Sequence, residues 1–256
     1  MLANMKQCIT VVTLFFMLTS ANAAVKDEDR YYDIELIIFE STDKASYHAE
    51  AQRNTLSREL PEEAIELGKA VPRKLIKGYD PKLSFRLLPA STYQLSQEVK
   101  LLQQSGHYNV LLHTAWRQPG MDRETAIPVH IRKEYVSQVE QPVQENNTFS
   151  AFGPASSAFT PPPAKNVLDG YIRIILSRYL HAQVDLAYTV PTRQNVQTIP
   201  AATTESNAEY RTEKTEIVPL MFHLNQSRKM RSTEVHYLDH PVLGVIVLAT
   251  PYGDDT

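Results

Sequence analysis

The residues best suited to chemistry lie near the C-terminus, between positions 228 and 241. His236, Asp239 and His240 combine two imidazoles with a carboxylate, groups that bind metal ions or exchange protons. Zinc signatures place two histidines four residues apart on a helix, with a glutamate between them. His236 and His240 have that separation, but Pro241 disfavours helical geometry at the residue before it. The spacing therefore favours a strand leading into a turn, with Asp239 bonding local backbone amides, and leaves a metal-assisted or acid–base hydrolase as an alternative.

Three cations precede this group: Arg228, Lys229 and Arg231. In an extended segment, Lys229 and Arg231 share a face and Arg228 takes the other. Guanidinium groups bind carboxylates bidentately, and the polymer of a bacterial wall carries carboxylates on its peptides. Together with His236 and Tyr237, these cations form a candidate ligand-binding surface. The alternative is an ordinary solvated edge whose salt bridges are worth about 0–1 kcal/mol each.

Trp116, the only tryptophan, stands beside Arg117 at the end of a predicted strand. An exposed indole next to hydrogen-bonding groups is a common platform for sugars, so both residues are candidate ligand contacts. The alternation partners of Trp116, Val110 and Leu112, are apolar, which favours packing in the core.

Several catalytic and cofactor motifs are missing from the sequence. It has no G-x-S-x-G elbow, P-loop or G-x-G-x-x-G run, and only eight glycines. We therefore expect no cofactor and no catalytic residue. The formal net charge is −3, whereas non-specific nucleic-acid binding needs a strongly basic face, so we expect no nucleic-acid partner.

The first 23 residues have the pattern of a cleavable export signal. Lys6 is followed by an apolar stretch from Ile9 to Leu18 and then by Ala21-Asn22-Ala23, the small-x-small pattern that signal peptidases accept. The apolar stretch is too short to span a bilayer, which needs about 20 residues. Cleavage removes Cys8, the only cysteine, so we expect a mature chain (24–256) with no disulfide or thiolate site and no membrane insertion.

Strand and helix signals alternate along the mature chain. Residues 31–39 predict a central strand, because they are apolar on both faces near the end. A helix is predicted over 92–105, with Ser91 and Gln94 as a capping box and Gly106 as its left-handed end, and a short helix near 61–67. Further strands are predicted by alternation at 108–117, 126–132, 168–188, 218–224 and 243–248. The stretch 168–188 is either one long strand or two strands joined by a bend near Arg178.

These elements predict an α+β fold with a mostly antiparallel sheet of six or seven strands, covered by one or two helices. The strands 108–117 and 126–132 are expected to form a hairpin. Two polar stretches, at about 135–165 and 191–215, predict long loops. One domain covering 24–256 is the preferred interpretation, and two halves joined through the first loop are the alternative.

Four segments together resemble the CsiV family, the periplasmic peptidoglycan-binding proteins of gammaproteobacteria. They are Tyr32 to Phe39, Leu111 to Pro119, Arg178 to His181, and Met230 to Val245, in which the block from His236 to Pro241 is the most specific. The resemblance implies a non-enzymatic role in cell-wall assembly and cell shape, as an activator of a bifunctional class A penicillin-binding protein. It assigns no functional residue, so the binding residues named above remain predictions from their chemistry.

Three functions are therefore open at the level of sequence. The first is a periplasmic accessory protein that binds the wall. The second is the hydrolase centred on His236, Asp239 and His240. The third is a pure protein-interaction module of the envelope, which contacts a synthase without touching glycan.

Overall fold

A computed structural model describes residues 30–43, 45, 47, 59–136, 165–198 and 212–253. The predicted export signal lies outside these ranges, as do the centres of the two predicted loops. No helix in the described part of the chain is long and apolar enough to cross a membrane.

Ten strands, one complete α-helix and one short 3-10 helix (Ala90–Thr92) make up the regular structure that is described. The α-helix is α1 (Ser96–Gln104). The strands are β1 (Tyr31–Ser41), β2 (Ile65–Glu66), β3 (Arg86–Leu87), β4 (Tyr108–Pro119), β5 (Val129–Val136), β6 (Lys165–Leu176), β7 (Leu180–Thr198), β8 (Thr212–Met230), β9 (Val235–Asp239) and β10 (Leu243–Tyr252).

The strands form two sheets of five. Sheet A has the order β3-β4-β1-β10-β9, and sheet B has the order β2-β5-β6-β7-β8. The strand pairs are antiparallel except for β2 with β5. The predicted single sheet under one or two helices is therefore wrong: the fold is mostly β, with two sheets. Alternation identifies strands but not their partners, which is why the sequence did not separate the two sheets.

The expected hairpin of β4 and β5 is also wrong, because the two strands belong to different sheets. The segment between them hydrogen-bonds to residues of or next to both sheets. Gly120 donates its N–H to the carbonyl of Arg30, just before β1, and the carbonyl of Met121 accepts the N–H of Leu176 in β6. The expected helix near 61–67 is replaced by turns and by β2.

Strands occupy much of the second predicted loop. β7 continues to Thr198 and β8 begins at Thr212, and the two are paired throughout. Polar residues rich in Thr, Asn and Gln look like a loop in sequence, yet strand pairing satisfies their backbone groups equally well. The predicted loop at 191–215 is thus wrong at both ends.

The main core lies between the sheets. Side chains in a strand alternate between faces, and each sheet turns one alternating set toward the other. This set includes Ile34, Leu36 and Ile38 on β1, Val184, Leu186 and Tyr188 on β7, Leu220, Phe222 and Leu224 on β8, and Val245 and Val247 on β10.

A smaller cluster forms on the opposite face of sheet A, where α1 packs. Ile37 and Phe39 of β1 contact Leu95, Val99 and Leu102 there. The central position predicted for the first strand is confirmed, because β1 pairs with β4 on one side and β10 on the other. Its two apolar faces serve the two clusters.

The start of α1 is held by a residue distant in sequence. The predicted capping box is wrong, since no side chain at the cap bonds the helix end. Instead the buried carboxylate of Glu35 accepts the backbone N–H groups of Gln94 at 2.7 Å and Leu95 at 2.9 Å, and lies 2.7 Å from Nε2 of His113. A carboxylate at a helix N-terminus is stabilised by the free amides and the helix dipole.

Candidate functional site

The candidate segment 228–240 does not form a single surface. Met230 at the end of β8 and Leu238 in β9 both lie in the core between the sheets. Because strand side chains alternate, Lys229 points to the outer face of sheet B, whereas Tyr237 points to the outer face of sheet A. Two of the predicted ligand residues therefore face opposite sides of the molecule.

The turn between β6 and β7 brings an aromatic residue to the end of β8. Leu180 pairs with Met230 and His181 with Lys229, so Tyr179, on the same face as His181, lies diagonally across from Lys229. The Lys229 ammonium is 3.3 Å from the centroid of the Tyr179 ring, and the guanidinium carbon of Arg178 is 5.8 Å from it. We call the exposed residues at this end of sheet B the hairpin patch: Arg178, Tyr179, Lys229 and Arg231, together with Arg228 on the other side of β8, where alternation and its pairing with Ala182 place it.

Most of the positive charge in the hairpin patch is not neutralised by a carboxylate. Arg231 lies 3.5 Å from Glu234, and both side chains are exposed, so this pair contributes about 0–1 kcal/mol. Within the part of the chain that is described, Arg178, Arg228 and Lys229 have no ion pair. All four cations are exposed.

Elsewhere on the outer face of sheet B, two aspartates lie against imidazoles. His130 lies 2.8 Å from Asp169, and His223 lies 2.8 Å from Asp185. In each pair a carboxylate sits against the neighbouring imidazole. At the hairpin end, by comparison, several cations are exposed and, among the described residues, have no ion pair with a carboxylate.

The three residues of the hydrolase alternative do not converge. β9 is extended, so His236 and Asp239 point to opposite faces. Nε2 of His236 accepts the backbone N–H of Arg231 at 3.0 Å, and Asp239 accepts a tyrosine hydroxyl at 2.6 Å. Nδ1 of His240 accepts the N–H of Val242 at 3.1 Å. His240, and not Asp239 as predicted, bonds the local backbone amides.

No cluster of metal-ligating groups is present in the described ranges: nowhere do three His, Cys, Asp or Glu side chains come together in a way that could hold an ion. A groove of about 510 Å³ lies elsewhere, between the edges of β4 and β5. Its lining carries both signs of charge, from Glu66, Arg132, Lys133 and Glu134. None of the residues predicted as ligand contacts lines it.

The contacts that Trp116 and Arg117 make lie within the fold. The Trp116 indole is fully buried and donates from Nε1 to Oε1 of Gln118 at 2.8 Å, out of reach of a sugar at the surface. Arg117 donates two hydrogen bonds to the carboxylate of Asp33, at 2.6 and 2.9 Å, and lies 3.1 Å from the centroid of the Tyr252 ring. This engagement raises the pKa of Arg117, chiefly through the hydrogen bond to Asp33.

Sequence reasoning did not include two members of the hairpin patch, Arg178 and Tyr179, among the candidate ligand residues. A bend near Arg178 was expected, and residues at the tip of a hairpin are normally exposed. The missing information was which strand pairs with β7, because only the pairing with β8 places Tyr179 against Lys229.

An exposed group of cations around an aromatic ring can bind a ligand that carries carboxylates, because each guanidinium group can donate a pair of hydrogen bonds to one carboxylate.

Searches of curated proteins and of solved structures returned no match to this chain. The model of one family, described as "Peptidoglycan-binding protein, CsiV", matches residues 8–252. That match covers nearly the whole sequence, and the chain therefore belongs to the CsiV family of peptidoglycan-binding proteins.

Proposed function

We propose that this protein is a non-catalytic protein of the periplasm that binds peptidoglycan through the hairpin patch. The family description supports peptidoglycan as the ligand. The peptides of this polymer carry carboxylates, for which guanidinium groups are the best-matched side chains. Arg228 and Arg231 are the residues we assign to this contact.

The observation that carries the proposal is the group of exposed cations around Tyr179. Lys229 is held above the ring at 3.3 Å, an arrangement worth about 0.5–1 kcal/mol at an exposed site. This contact orients the ammonium without neutralising it. Arg228 and Arg231 extend the positive surface along the end of β8 and into the next turn.

Co-sedimentation with purified sacculi tests the assignment. We expect the double variant Arg228→Ala/Arg231→Ala to bind at least about tenfold more weakly, because a hydrogen bond to a charged group contributes about 1.5–3 kcal/mol. Binding by the unmodified protein should also weaken as salt is raised.

The matched control is Lys74→Ala/Lys77→Ala, which removes the same charge from two exposed residues outside the patch. We expect it to bind sacculi like the unmodified chain. Equal weakening by both double variants would show that net charge alone governs binding. Unchanged binding by the arginine variant, with its circular dichroism preserved, would remove the patch from the proposal.

We further propose that the protein supports cell-wall synthesis by activating a class A penicillin-binding protein. The resemblance noted in the sequence implies this partner, and a wall-bound activator would keep the synthase close to its product. The test is glycan polymerisation by a purified class A synthase with and without the protein, for which we expect a faster rate. No change in rate, together with intact sacculus binding, would leave a wall-binding protein without this partner.

A pull-down from cells separates wall binding from direct protein contact. If the synthase is still captured after muramidase digestion, the contact is between proteins. If capture is lost, the wall itself links the two, and activation through direct contact is excluded.

A further inference from the structure

Three aromatic rings form a row on the outer face of sheet A, at the end farthest from Tyr252. The rings of Phe39 and Tyr237 are nearly parallel, with centroids 6.1 Å apart and planes 8° apart. Tyr108 meets Phe39 edge-on at 5.1 Å. We call Tyr108, Phe39 and Tyr237 the aromatic row.

The two outer rings of the row are open to solvent, whereas the middle one is not. Tyr108 is 38% exposed and Tyr237 is 44% exposed, but Phe39 is only 4% exposed. Phe39 thus lies between two exposed tyrosines and is itself covered by Leu95, Val99 and Leu102 at the start of and along α1. Large exposed aromatic rings held in fixed positions bury much area at small entropic cost when a ligand stacks on them.

The middle ring can lie this low because its neighbour has no side chain. Gly244 pairs with Phe39 across the strands, and a Cβ placed on Gly244 would lie 2.2 Å from Cζ of the ring. With any other residue at this position, the Phe39 ring would have to shift. The shape of the row therefore depends on one glycine in β10.

The polar groups at the row suit a neutral ligand that donates hydrogen bonds. The Tyr237 hydroxyl donates to Oδ1 of Asp239 at 2.6 Å, and Asp239 is exposed. Its carboxylate accepts hydrogen bonds from hydroxyl groups and repels other carboxylates. The charge beside the row is thus opposite to that of the hairpin patch.

We infer that the aromatic row is a second subsite, which binds the pyranose rings of the glycan and not the carboxylates of the peptides. The inference rests on the proposed function and names the part of the polymer bound at this separate site. Apolar faces of sugar rings stack on Tyr108 and Tyr237, while a sugar hydroxyl donates to Asp239. The aromatic row lies on the outer face of sheet A, whereas the hairpin patch lies at the hairpin end of sheet B.

Glycan strands freed of their peptides by amidase digestion provide the test. We expect the unmodified chain to bind them, and Tyr108→Ala and Tyr237→Ala each to weaken binding about three- to tenfold, the equivalent of one aromatic contact. Tyr237→Phe should keep most of the affinity, because it retains the ring. Tyr252→Ala serves as control, since Tyr252 is 44% exposed on the same sheet, away from the row.

The outcomes separate this inference from the proposed function. If peptide-free glycan does not bind, or if folded Tyr108→Ala and Tyr237→Ala bind it like Tyr252→Ala, the glycan subsite is wrong. Sacculus binding that depends on Arg228 and Arg231 would then still stand. If the tyrosine variants lose only synthase activation, the row contacts a protein, and the inference is likewise overturned.

Discussion

The ring of Phe39 lies on the backbone of Gly244, its partner in the adjacent strand. This contact leads to the first prediction. Gly244→Ala should lower the free energy of unfolding by about 1–3 kcal/mol, the usual cost of forcing an extra methyl group into a packed position. Urea denaturation followed by circular dichroism measures the change.

A second substitution shows whether the ring is the cause. Phe39→Leu shortens the side chain above Gly244, so the double variant should be more stable than the two single effects predict when added. Strict additivity would mean that the alanine acts through something other than the Phe39 ring.

The buried carboxylate of Glu35 is the second target. Glu35→Ala leaves the N–H groups of Gln94 and Leu95 without their acceptor, and an unsatisfied buried donor such as that of Leu95 costs about 1–3 kcal/mol. We expect a loss of about 2–5 kcal/mol in urea denaturation. Glu124→Ala, at an exposed position, is the control. Equal midpoints for the two variants would contradict the role of Glu35 at the start of α1.

Arg117 should matter for stability and not for binding. Arg117→Ala removes both hydrogen bonds to Asp33, and we expect a loss of about 1–3 kcal/mol. Arg117→Lys keeps the charge but not the paired hydrogen bonds of the guanidinium group, so its free energy of unfolding should lie between those of the unmodified chain and Arg117→Ala. Sacculus binding is expected to stay unchanged in both variants. Weaker binding by folded Arg117→Lys would return this residue to the ligand surface.

Three tyrosines near Glu40 predict a loss of stability in alkali. Burial in the first place, and the Glu40 carboxylate in the second, raise the pKa values of Tyr47, Tyr135 and Tyr188 above the usual tyrosine value. In the unfolded chain these tyrosines ionise near pH 10, whereas in the folded chain they stay neutral at that pH. The stabilisation is therefore fully present below about pH 10 and falls above it, by up to about 1.4 kcal/mol per pH unit for each tyrosine.

Unfolding in urea at successive pH values measures this dependence. Tyr188→Phe removes one ionisable group from the cluster, so the fall in stability above pH 10 should become shallower. The same substitution at the exposed Tyr179 serves as control. A slope that is identical in Tyr188→Phe and the unmodified chain would contradict the assignment.

The scattered contacts of His236, Asp239 and His240 predict that the protein does not cut the wall. Incubation with sacculi should release no soluble fragments above the background of a buffer control, and chelator should leave the melting temperature unchanged. His240→Ala should lower that temperature, because Val242 loses the acceptor for its N–H. Fragment release that disappears in His240→Ala would restore the hydrolase.

The local pattern of the sequence predicted most of the elements and the family. Alternation located the strands around Ile34, Val110, Ile172 and Val245, since the period of two is a property of each strand by itself. The sequence correctly placed Gly106 just beyond the helix. Its φ of 69° is a left-handed conformation that glycine adopts readily because it has no side chain. The cation group at Arg228, Lys229 and Arg231 could also be found from the sequence, because its members are close together along the chain.

Strand partners and side-chain neighbours were decided only by the tertiary structure. Alternation around β4 and β5 is the same whether the strands pair with each other or lie in separate sheets, so the hairpin was a natural error. The carboxylate that holds the start of α1 comes from Glu35, about 60 residues away, and local capping rules cannot find it. Likewise, Lys229 meets Tyr179 only because β8 pairs with β7, and Tyr237 meets Phe39 only because β9 and β1 flank β10. Residue types determine which contacts are chemically possible. Long-range strand pairing determines which of them form, because the free energy of pairing depends on packing across the whole core.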